Sequence, residues 1–413
     1  MNLLIAIPAL NEEESIRGIV QRSLEARQYI IENSPVTDVE ITVVSDGSTD
    51  ATVERAMEFS GRIKVIVFPK NRGYGAAIME AWAQSDADLL GFLDADGTCD
   101  PRIFAPLCRK LADEKADIVL GCRMAEANPM PPIRRLGNRI FALLLASLSN
   151  KMVKDTASGM RVVRRSALPS LYPLPSGLHF TPAMSARAML SDHMRIVEVD
   201  MPYAEREGRS KLSVLRDGFR FLKVILSTAL LYRPGKLLML GSGIFLLMGA
   251  LLMITPVVHY LATRTVAEWM IYRFLVSTLF AQVSLLLWGA SGVTSRIVGV
   301  AIQREVRNTP GFFYGWVRTP WFWVVTGLLT GAGAALVYPA AHQLWQTGHT
   351  NVHWSRFVVA TTCFGFVATL GIFLAIDHLL DLVDARVRYL TELDKGRSVR
   401  SEPGVRSEAQ SAS

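Results

Sequence analysis

Four long stretches without a charged side chain dominate the second half of the chain. Leu237–Leu261, Phe274–Ser295, Trp321–Ala341 and Phe357–Ile376 contain no Asp, Glu, Lys or Arg. Each reaches the roughly 20 apolar residues that a helix needs to cross the hydrocarbon core of a bilayer. A soluble domain can bury one such helix in its core, but four of them favour membrane spans. The sequence therefore predicts an integral membrane protein with a four-helix transmembrane domain over residues 236–382.

The distribution of charge indicates what the chain contacts and how it is oriented. Its net charge of +7 suits either nucleic acid or anionic lipid. Basic residues gather beside the apolar segments, so we expect a membrane surface and no nucleic acid. The loop between the second and third spans and the C-terminal tail are rich in arginine, which predicts that the N-terminal domain and both termini are cytoplasmic. We expect the basic tail over residues 383–413 to be disordered.

Residues 1–211 alternate short apolar runs with helical patterns. Such continuous apolar strands, separated by helices, are typical of a mostly parallel sheet covered on both faces. Ligands of these sheets bind at the carboxyl ends of the strands. The sequence therefore predicts an α/β domain with its site at those ends. The predicted strands are Leu3–Ile7, Ile41–Val44, Ile63–Phe68, Leu89–Leu93 and Ile118–Leu120.

Two further stretches mix apolar and basic residues. Over residues 212–235, Arg216, Arg220 and Lys223 alternate with apolar positions, which predicts an amphipathic juxtamembrane helix at the membrane interface. The stretch Arg134–Asn150 has a similar composition and is too short to span a bilayer. An ordinary domain helix and an interfacial helix both fit it.

Two aspartates follow directly after the fourth predicted strand. Asp94 and Asp96 are two residues apart in "DLLGFLDADGTCDP", so continued extended backbone would direct both side chains to one side. Carboxylates crowded at a strand end are costly unless a positive group lies between them. Mg²⁺ usually takes one or two protein carboxylates together with substrate phosphates. An acidic turn is the simpler alternative, but the rigid strand and polar neighbours favour a metal site.

Other polar and basic groups follow the same pattern. Asp46 lies in the tight turn "SDGS" after the second strand, and Gly73 precedes a helix in "PKNRGYGAA", where the backbone can approach an anionic ligand closely. Basic side chains can neutralise a diphosphate or a lipid phosphate. Arg206, Arg209 and Lys211 precede the amphipathic helix, and their alternative role is to set the orientation of the chain in the membrane. The basic candidates are Arg123, Arg161, Arg206, Arg209 and Lys211.

The order of these motifs resembles glycosyltransferase family 2, of the polyprenyl-phosphate hexose synthase kind that includes dolichol-phosphate mannose synthase. The matching segments are "IPALNEEE", "SDGSTDAT", "KNRGYGAA", "DADGTCDP", "GCR", "DTASGMR" and "REGRSK". The resemblance implies a Rossmann-like nucleotide-sugar domain, a bound Mg²⁺ or Mn²⁺ and a bacterial or archaeal cell membrane. Thr98 stands where some members carry a metal-binding glutamine.

The resemblance also assigns roles to residues of this chain. Asp94 and Asp96 would be catalytic and hold the metal, with Asp94 facing the donor, and Arg123 would be catalytic as a contact of the acceptor phosphate. Arg161 and Arg209 are further candidates for that phosphate. The implied nucleotide-sugar contacts are Pro8, Leu10, Asn11, Glu12, Asp46, Gly73, Asp94, Arg206 and Lys211.

The chemistry of the acceptor separates the possible functions. A hydroxyl acceptor needs a general base, whereas a phosphate monoester with a second pKa of about 6 arrives ionised. The many arginines favour polyprenyl phosphate as acceptor and an inverting transfer of a hexose from a GDP-mannose or UDP-glucose type of donor. A glycolipid synthase with a lipid hydroxyl acceptor and a non-catalytic membrane assembly module are the alternatives.

The third predicted span carries small residues on one face. Gly327, Gly331 and Ala335 are spaced for helix contact, either in a homo-oligomer or within one chain.

Overall fold

The computed structural model describes residues 1–124, 131–149, 151–204, 214–301 and 312–400. The chain divides into two units, Met1–Tyr232 and Arg233 onward. The described strands of the first unit are β1 Asn2–Ala9, β2 Asp38–Ser45, β3 Lys64–Val67, β4 Leu89–Leu93, β5 Ile118–Cys122, β6 Met160–Arg164 and β7 Ile196–Asp200. Its described helices are α1 Ile16–Glu32, α2 Thr52–Met57, α3 Tyr74–Ala83, α4 Phe104–Asp113, α5 Pro132–Leu148, α6 Leu168–Leu171, α7 Phe180–Leu190 and α8 Val214–Tyr232.

The strands form one mixed, mostly parallel sheet in the order β3-β2-β1-β4-β6-β5-β7. All neighbours pair in parallel except β6, which runs antiparallel to both β4 and β5. This confirms the predicted α/β fold class and all five predicted strands. The sequence reasoning missed β6 and β7, because β6 follows directly on a motif that was interpreted only as a polar turn.

The directions of the strands bring their loops together. The parallel strands β1, β2 and β4 end at one edge of the sheet, and so does β5, because two antiparallel steps separate it from β4. Leu93 at the end of β4 pairs with Met160 at the start of β6, so the loop before β6 arrives at the same edge. Five loops from distant parts of the sequence therefore meet there.

Burial explains why the sheet is rigid at this edge. Every residue of β4 is buried, and so is β1 from Leu3 onward, since helices cover both faces of the sheet. Continuous apolar strands of this kind are the expected composition for the centre of a parallel sheet. A buried apolar core therefore supports the polar loops at the strand ends.

The amphipathic helix belongs to the first unit by its packing. The predicted domain boundary lay at residue 211, whereas the first unit extends to Tyr232 and includes α8. Phe221 of α8 packs edge-on against Phe141 of α5, with ring centroids 6.2 Å apart. The two stretches that the sequence identified as mixed apolar and basic are thus neighbouring helices.

The second unit consists of helices in its described part. They are α9 Pro234–Thr263, α10 Ile271–Ala301, α11 Phe312–Val317, α12 Pro320–Thr347 and α13 Trp354–Arg400. Four of these regions are long and apolar enough to cross a membrane, namely Pro234–Thr263, Glu268–Gly299, Pro320–Thr347 and Trp354–Val387. They coincide with the four predicted spans. The protein is an integral membrane protein.

One expectation about this unit needs correction, and one open alternative can be narrowed. The tail was predicted to be disordered from residue 383, but α13 continues as a helix to Arg400. The first residue that breaks a helix after the span is Pro403, which explains the continuation; residues 401–413 lie outside the described residues. The contact predicted for Gly327 and Gly331 of α12 is not made within the described part of the chain, since a Cβ at either position would meet nothing within 4 Å.

Four charged side chains join the ends of three membrane helices. Arg296 of α10 contacts Asp377 and Asp381 of α13, with Nη2 lying 2.6 Å from Asp381 Oδ1. Arg318, just before α12, reaches the same two carboxylates at 3.1 and 2.7 Å. Only 4% of the Asp377 side chain is exposed, so its charge depends on both arginines for compensation.

We expect Asp377→Ala to lower the free energy of unfolding by about 3–5 kcal/mol, because it removes the buried member of this ion-pair cluster. The measurement is thermal unfolding in detergent, followed by tryptophan fluorescence. Asp381→Ala, which removes the more exposed carboxylate, serves as the control and should lower the melting temperature less. Equal melting temperatures for wild type and Asp377→Ala would show that the cluster does not stabilise the helices.

Candidate active site

A cavity of about 440 Å³ opens at the carboxyl edge of the sheet. Asp94 and Asp96 both line it, directly after the buried strand β4. Asp94 Oδ1 accepts a 2.6 Å hydrogen bond from the Tyr74 hydroxyl. Asp96 Oδ1 accepts hydrogen bonds from the amide and the hydroxyl of Thr98, at 3.2 and 2.7 Å. Each carboxylate is therefore oriented by a neighbouring hydroxyl.

Gly159, in the loop before β6, makes room for Asp94. A Cβ at this position would lie 1.8 Å from Asp94 Oδ2, far inside van der Waals contact. Any side chain there would displace the carboxylate. The glycine of "DTASG" is thus required by the position of Asp94 rather than by a turn.

Asp46 organises the loop between β3 and α3. Its Oδ1 accepts the Arg72 amide at 2.6 Å and its Oδ2 accepts the Gly73 amide at 2.9 Å. Gly73 has a φ of +106°, which favours glycine, and a Cβ there would also lie 2.5 Å from the Ser176 carbonyl oxygen. Asp46 and Gly73 both line the cavity, as predicted nucleotide contacts should. The described contacts of Asp46 are to the protein backbone, a role that the sequence did not indicate.

The "PALNE" segment after β1 contributes a second wall. Pro8, Leu10 and Glu12 line the cavity. Asn11 is not among the lining residues, and its Oδ1 accepts the Thr49 amide at 2.8 Å, which ties this segment to the loop after β2. Asn11 therefore braces this segment, and its implied nucleotide contact stays a prediction.

Arg123, just after β5, presents a fixed positive charge to the cavity. Its Nε lies 2.7 Å from Asp155 Oδ2 and its Nη2 lies 2.9 Å from Asp155 Oδ1, in a bidentate pair. Burial alone would lower the pKa of Arg123, but the Asp155 carboxylate outweighs it and raises that pKa. Arg123 also lowers the pKa of Asp155 against the opposing effect of burial. Both groups therefore stay charged, and the arginine is held in one orientation.

The structure argues against the predicted phosphate contact of Arg161. Its side chain is fully buried on β6 and is not among the cavity-lining residues. Nε donates to the Ser158 carbonyl at 3.0 Å and Nη2 to the Thr156 carbonyl at 2.9 Å. Burial lowers the pKa of Arg161 to about 10, which still leaves it protonated at neutral pH. Arg161 therefore shapes the loop that carries Asp155 and Gly159 instead of meeting a ligand.

The donor set of the cavity fits a hard divalent cation. In the described part of the chain no three His, Cys, Asp or Glu side chains gather as a complete metal cage. Two carboxylates whose other ligands come from substrate phosphates are the usual protein contribution to Mg²⁺. Asp94 and Asp96 are the residues that would hold such an ion.

Comparison with known proteins identifies the family. Residues 4–171 match the model of "Glycosyl transferase family 2". A dolichyl-phosphate hexose transferase of Haloferax volcanii is 31% identical over 235 residues, which cover 55% of this chain and 94% of that protein. The chain belongs to glycosyltransferase family 2. The resemblance inferred from the motifs is confirmed.

Further relatives of this glycosyltransferase cover different shares of its length. An undecaprenyl-phosphate 4-deoxy-4-formamido-L-arabinose transferase of Photorhabdus laumondii is 28% identical, over 75% of this chain and 92% of the relative. The low-salt glycan biosynthesis hexosyltransferase Agl6 of Haloferax volcanii is 30% identical, and the alignment spans only 54% of it. Among solved structures, glucosyl-3-phosphoglycerate synthase from Mycobacterium tuberculosis, in complex with Mn²⁺, UDP and phosphoglyceric acid, matches with a TM-score of 0.44 and 22% identity, covering 55% of this chain and 78% of the other.

The glycosyltransferase also has cavity residues that the sequence reasoning missed. Arg134 of α5 and Arg220 of α8 line the cavity, as do Tyr74 and Gly159. Both arginines lie in stretches that the sequence analysis identified as mixed apolar and basic. The sequence did not show that their side chains face the cavity. Tyr74 had no signal beyond its place in the "KNRGYG" motif. The predicted contacts Arg206, Arg209 and Lys211 lie outside the described residues.

We expect Asp155→Ala to destabilise the protein by about 3–5 kcal/mol, because it removes the buried carboxylate that pairs with the partly buried Arg123 guanidinium. Chemical denaturation of the variant would measure this loss. The control is Glu58→Ala, which removes an exposed ion pair with Arg17 and should leave stability unchanged within error. If both variants unfold at the same denaturant concentration as wild type, the Arg123–Asp155 pair is not a stabilising element.

Proposed function

We propose that the protein transfers a hexose from a nucleoside diphosphate sugar to a polyprenyl phosphate in the membrane, with inversion at the anomeric carbon. One observation carries the proposal. A single cavity joins the Asp94–Asp96 pair to Arg123, Arg134 and Arg220, and the last two arise from amphipathic helices. The arrangement has room for two anionic groups, one beside the carboxylates and one beside the arginines.

The donor end of the cavity is the wall formed by the end of β1, the segment after it and the loop between β3 and α3. Glu12 offers a hydrogen-bond acceptor there, Pro8 and Leu10 offer apolar surface, and Gly73 leaves backbone accessible. Such a mixture suits a nucleoside with its ribose. GDP-mannose and UDP-glucose are the donor types that we propose to test. Arg206 and Lys211, which lie outside the described residues, remain candidates for the diphosphate.

Asp94 and Asp96 would hold Mg²⁺ or Mn²⁺ against the donor diphosphate. When bound, the ion neutralises the charge that grows on the departing nucleoside diphosphate. The protein's part is to keep both carboxylates oriented beside that group. Their fixed hydrogen bonds reduce the reorganisation needed when the sugar leaves.

The acceptor end requires cations rather than a base. A phosphate monoester is already ionised near neutral pH, since its second pKa is about 6. Arg123, held by Asp155, would fix the acceptor phosphate so that one oxygen attacks the anomeric carbon in line with the leaving group. A single displacement of this kind inverts that carbon. Three arginines line the same cavity, Arg123, Arg134 and Arg220, and this supports an anionic acceptor over a neutral lipid hydroxyl.

The names of two relatives support the same acceptor class. One is a dolichyl-phosphate hexose transferase and the other an undecaprenyl-phosphate sugar transferase. We propose the same lipid class for this chain. The identity of the hexose does not follow from these names.

The helices beside the arginines would rest on the bilayer. On α5 the apolar side chains of Ile133, Leu136, Ile140 and Leu143 are each more than half exposed and recur at helical spacing. After α8 only one residue precedes α9, the first membrane span. We therefore favour the interfacial interpretation of α5 and propose that the catalytic unit and both termini lie on the cytoplasmic side.

The metal pair is tested by Asp96→Ala, which should reduce sugar transfer by at least about 100-fold because a preorganised charge at the leaving group is lost. The assay is transfer of radiolabelled sugar to a short polyprenyl phosphate, with and without chelator, over a panel of GDP- and UDP-sugars. Asp88→Ala removes a carboxylate at the opposite end of the same strand and is the matched control. Full, chelator-resistant turnover by Asp96→Ala would contradict the assignment.

A lipid hydroxyl acceptor is tested in the same assay. Diacylglycerol and ceramide replace polyprenyl phosphate while the donor is kept constant. We expect product only with the phosphate. Transfer to either hydroxyl lipid and none to polyprenyl phosphate would favour a glycolipid synthase.

The bilayer contact of α5 is tested with a nitroxide label at Leu136→Cys or Leu143→Cys in nanodiscs. The four native cysteines are buried, which makes labelling selective. We expect the label to be accessible to oxygen and protected from a water-soluble nickel chelate, because the apolar face would lie among lipid. Met57→Cys, on the exposed surface of α2, is the aqueous control. Nickel accessibility equal to that of the control would exclude the contact.

A further inference from the structure

Tyr74 lies at the boundary between an aromatic cluster and the candidate metal site. Its ring packs edge-on against Phe92 and Phe180, with centroids 6.4 Å away in both cases. Trp82 completes the cluster at 6.1 Å from Phe92 and 5.8 Å from Phe180. Phe92, Phe180 and Trp82 are buried, so the phenol ring has little freedom to rotate away.

The hydroxyl of this fixed ring points to one oxygen of Asp94. The Tyr74 oxygen lies 2.6 Å from Asp94 Oδ1, a length typical of a strong hydrogen bond to a carboxylate. Gly159 lies against the other oxygen, where it leaves no space for a side chain. The carboxylate plane is therefore held between a donor on one side and backbone on the other.

Asp96 is held by a different kind of contact. Its Oδ1 accepts from Thr98, which is only two residues away in the same loop. Asp94 instead depends on α3, which follows β3 in sequence, and on the loop before β6. The orientation of Asp94 thus depends on contacts from parts of the chain distant in sequence, and the hydrogen bond from Tyr74 is one of them.

We infer that Tyr74 is a positioning residue that fixes the Asp94 carboxylate for a divalent cation and the donor diphosphate. The inference rests on the proposed function, in which Asp94 and Asp96 hold the ion. It assigns to the tyrosine of "KNRGYG" a role that acts through Asp94 and involves no contact with the reacting atoms. Groups that orient metal ligands in this way commonly affect metal affinity as strongly as some ligands do.

The test is Mn²⁺ binding by the full-length protein in detergent, measured from the electron paramagnetic resonance signal of free Mn²⁺. Specific binding is the part that Asp96→Ala abolishes. Tyr74→Phe keeps the ring and removes the hydroxyl, and we expect it to weaken specific binding by roughly tenfold to a hundredfold. With donor and acceptor present, the Mn²⁺ concentration needed for half-maximal transfer should rise by a similar factor.

Two controls separate positioning from a structural effect. Tyr29→Phe makes the same chemical change on the exposed surface of α1 and should bind Mn²⁺ like wild type. Tyr74→Phe should have little further effect in an Asp94→Asn background, since the hydroxyl acts through that carboxylate. An equal loss in both backgrounds would overturn the inference.

A second variant keeps the test decisive if Tyr74→Phe melts at a lower temperature. Gly159→Ala leaves the aromatic cluster intact and displaces Asp94 from the other side, so it should also weaken Mn²⁺ binding. Wild-type affinity in both variants would overturn the inference while leaving the proposed function intact. Absence of specific Mn²⁺ binding by the wild-type protein, both alone and with UDP or GDP supplying the phosphate ligands, would contradict both.

Discussion

The pairing of β4 with parallel β1 on one side and antiparallel β6 on the other governs the whole catalytic unit. Parallel pairing ends β1 and β4 at the same edge, and the reversed β6 begins there. The polar segments after β1 and β4 and before β6 then share one cavity. An all-parallel arrangement would send the segment before β6, with Asp155 and Gly159, to the opposite edge. One reversed strand thus decides which residues meet the Asp94–Asp96 pair.

Charges in this cavity are fixed by partners before any ligand binds. Asp155 holds Arg123 in a bidentate pair, and backbone amides hold Asp46. Charged groups that are already oriented need little reorganisation when a substrate binds or a leaving group departs. The loops at the sheet edge contain little helix or strand. These side-chain hydrogen bonds therefore hold the loops in place where backbone hydrogen bonds of regular structure do not. The same principle recurs in the membrane unit, where Asp377 connects three helices through two arginines.

Much of the architecture could be predicted from the chain alone because the signals are local. An uncharged run as long as Leu237–Leu261 is rarely buried in a soluble domain, so it indicates a membrane span. The continuous apolar strand Leu89–Leu93 is typical of a buried parallel sheet. The aspartates after that strand and the motif order led to the family, which the comparisons confirmed. Sequence reasoning failed in α13 beyond residue 383, where an apolar helix continues into a polar segment with no proline to end it. It also failed at β6, which begins within a motif interpreted as a polar turn.

The sequence by itself determined the two-part organisation, the mostly parallel sheet and the carboxylates at its edge, because these depend on hydrophobic period and residue type. Only the tertiary structure decided which basic residues reach the cavity. Arg123 and Arg161 were both predicted to contact the acceptor phosphate, yet one is held at the cavity wall and the other is buried among carbonyls. The direction of a side chain depends on strand register and on partners distant in sequence. For the same reason the sequence did not predict the contact between Tyr74 and Asp94.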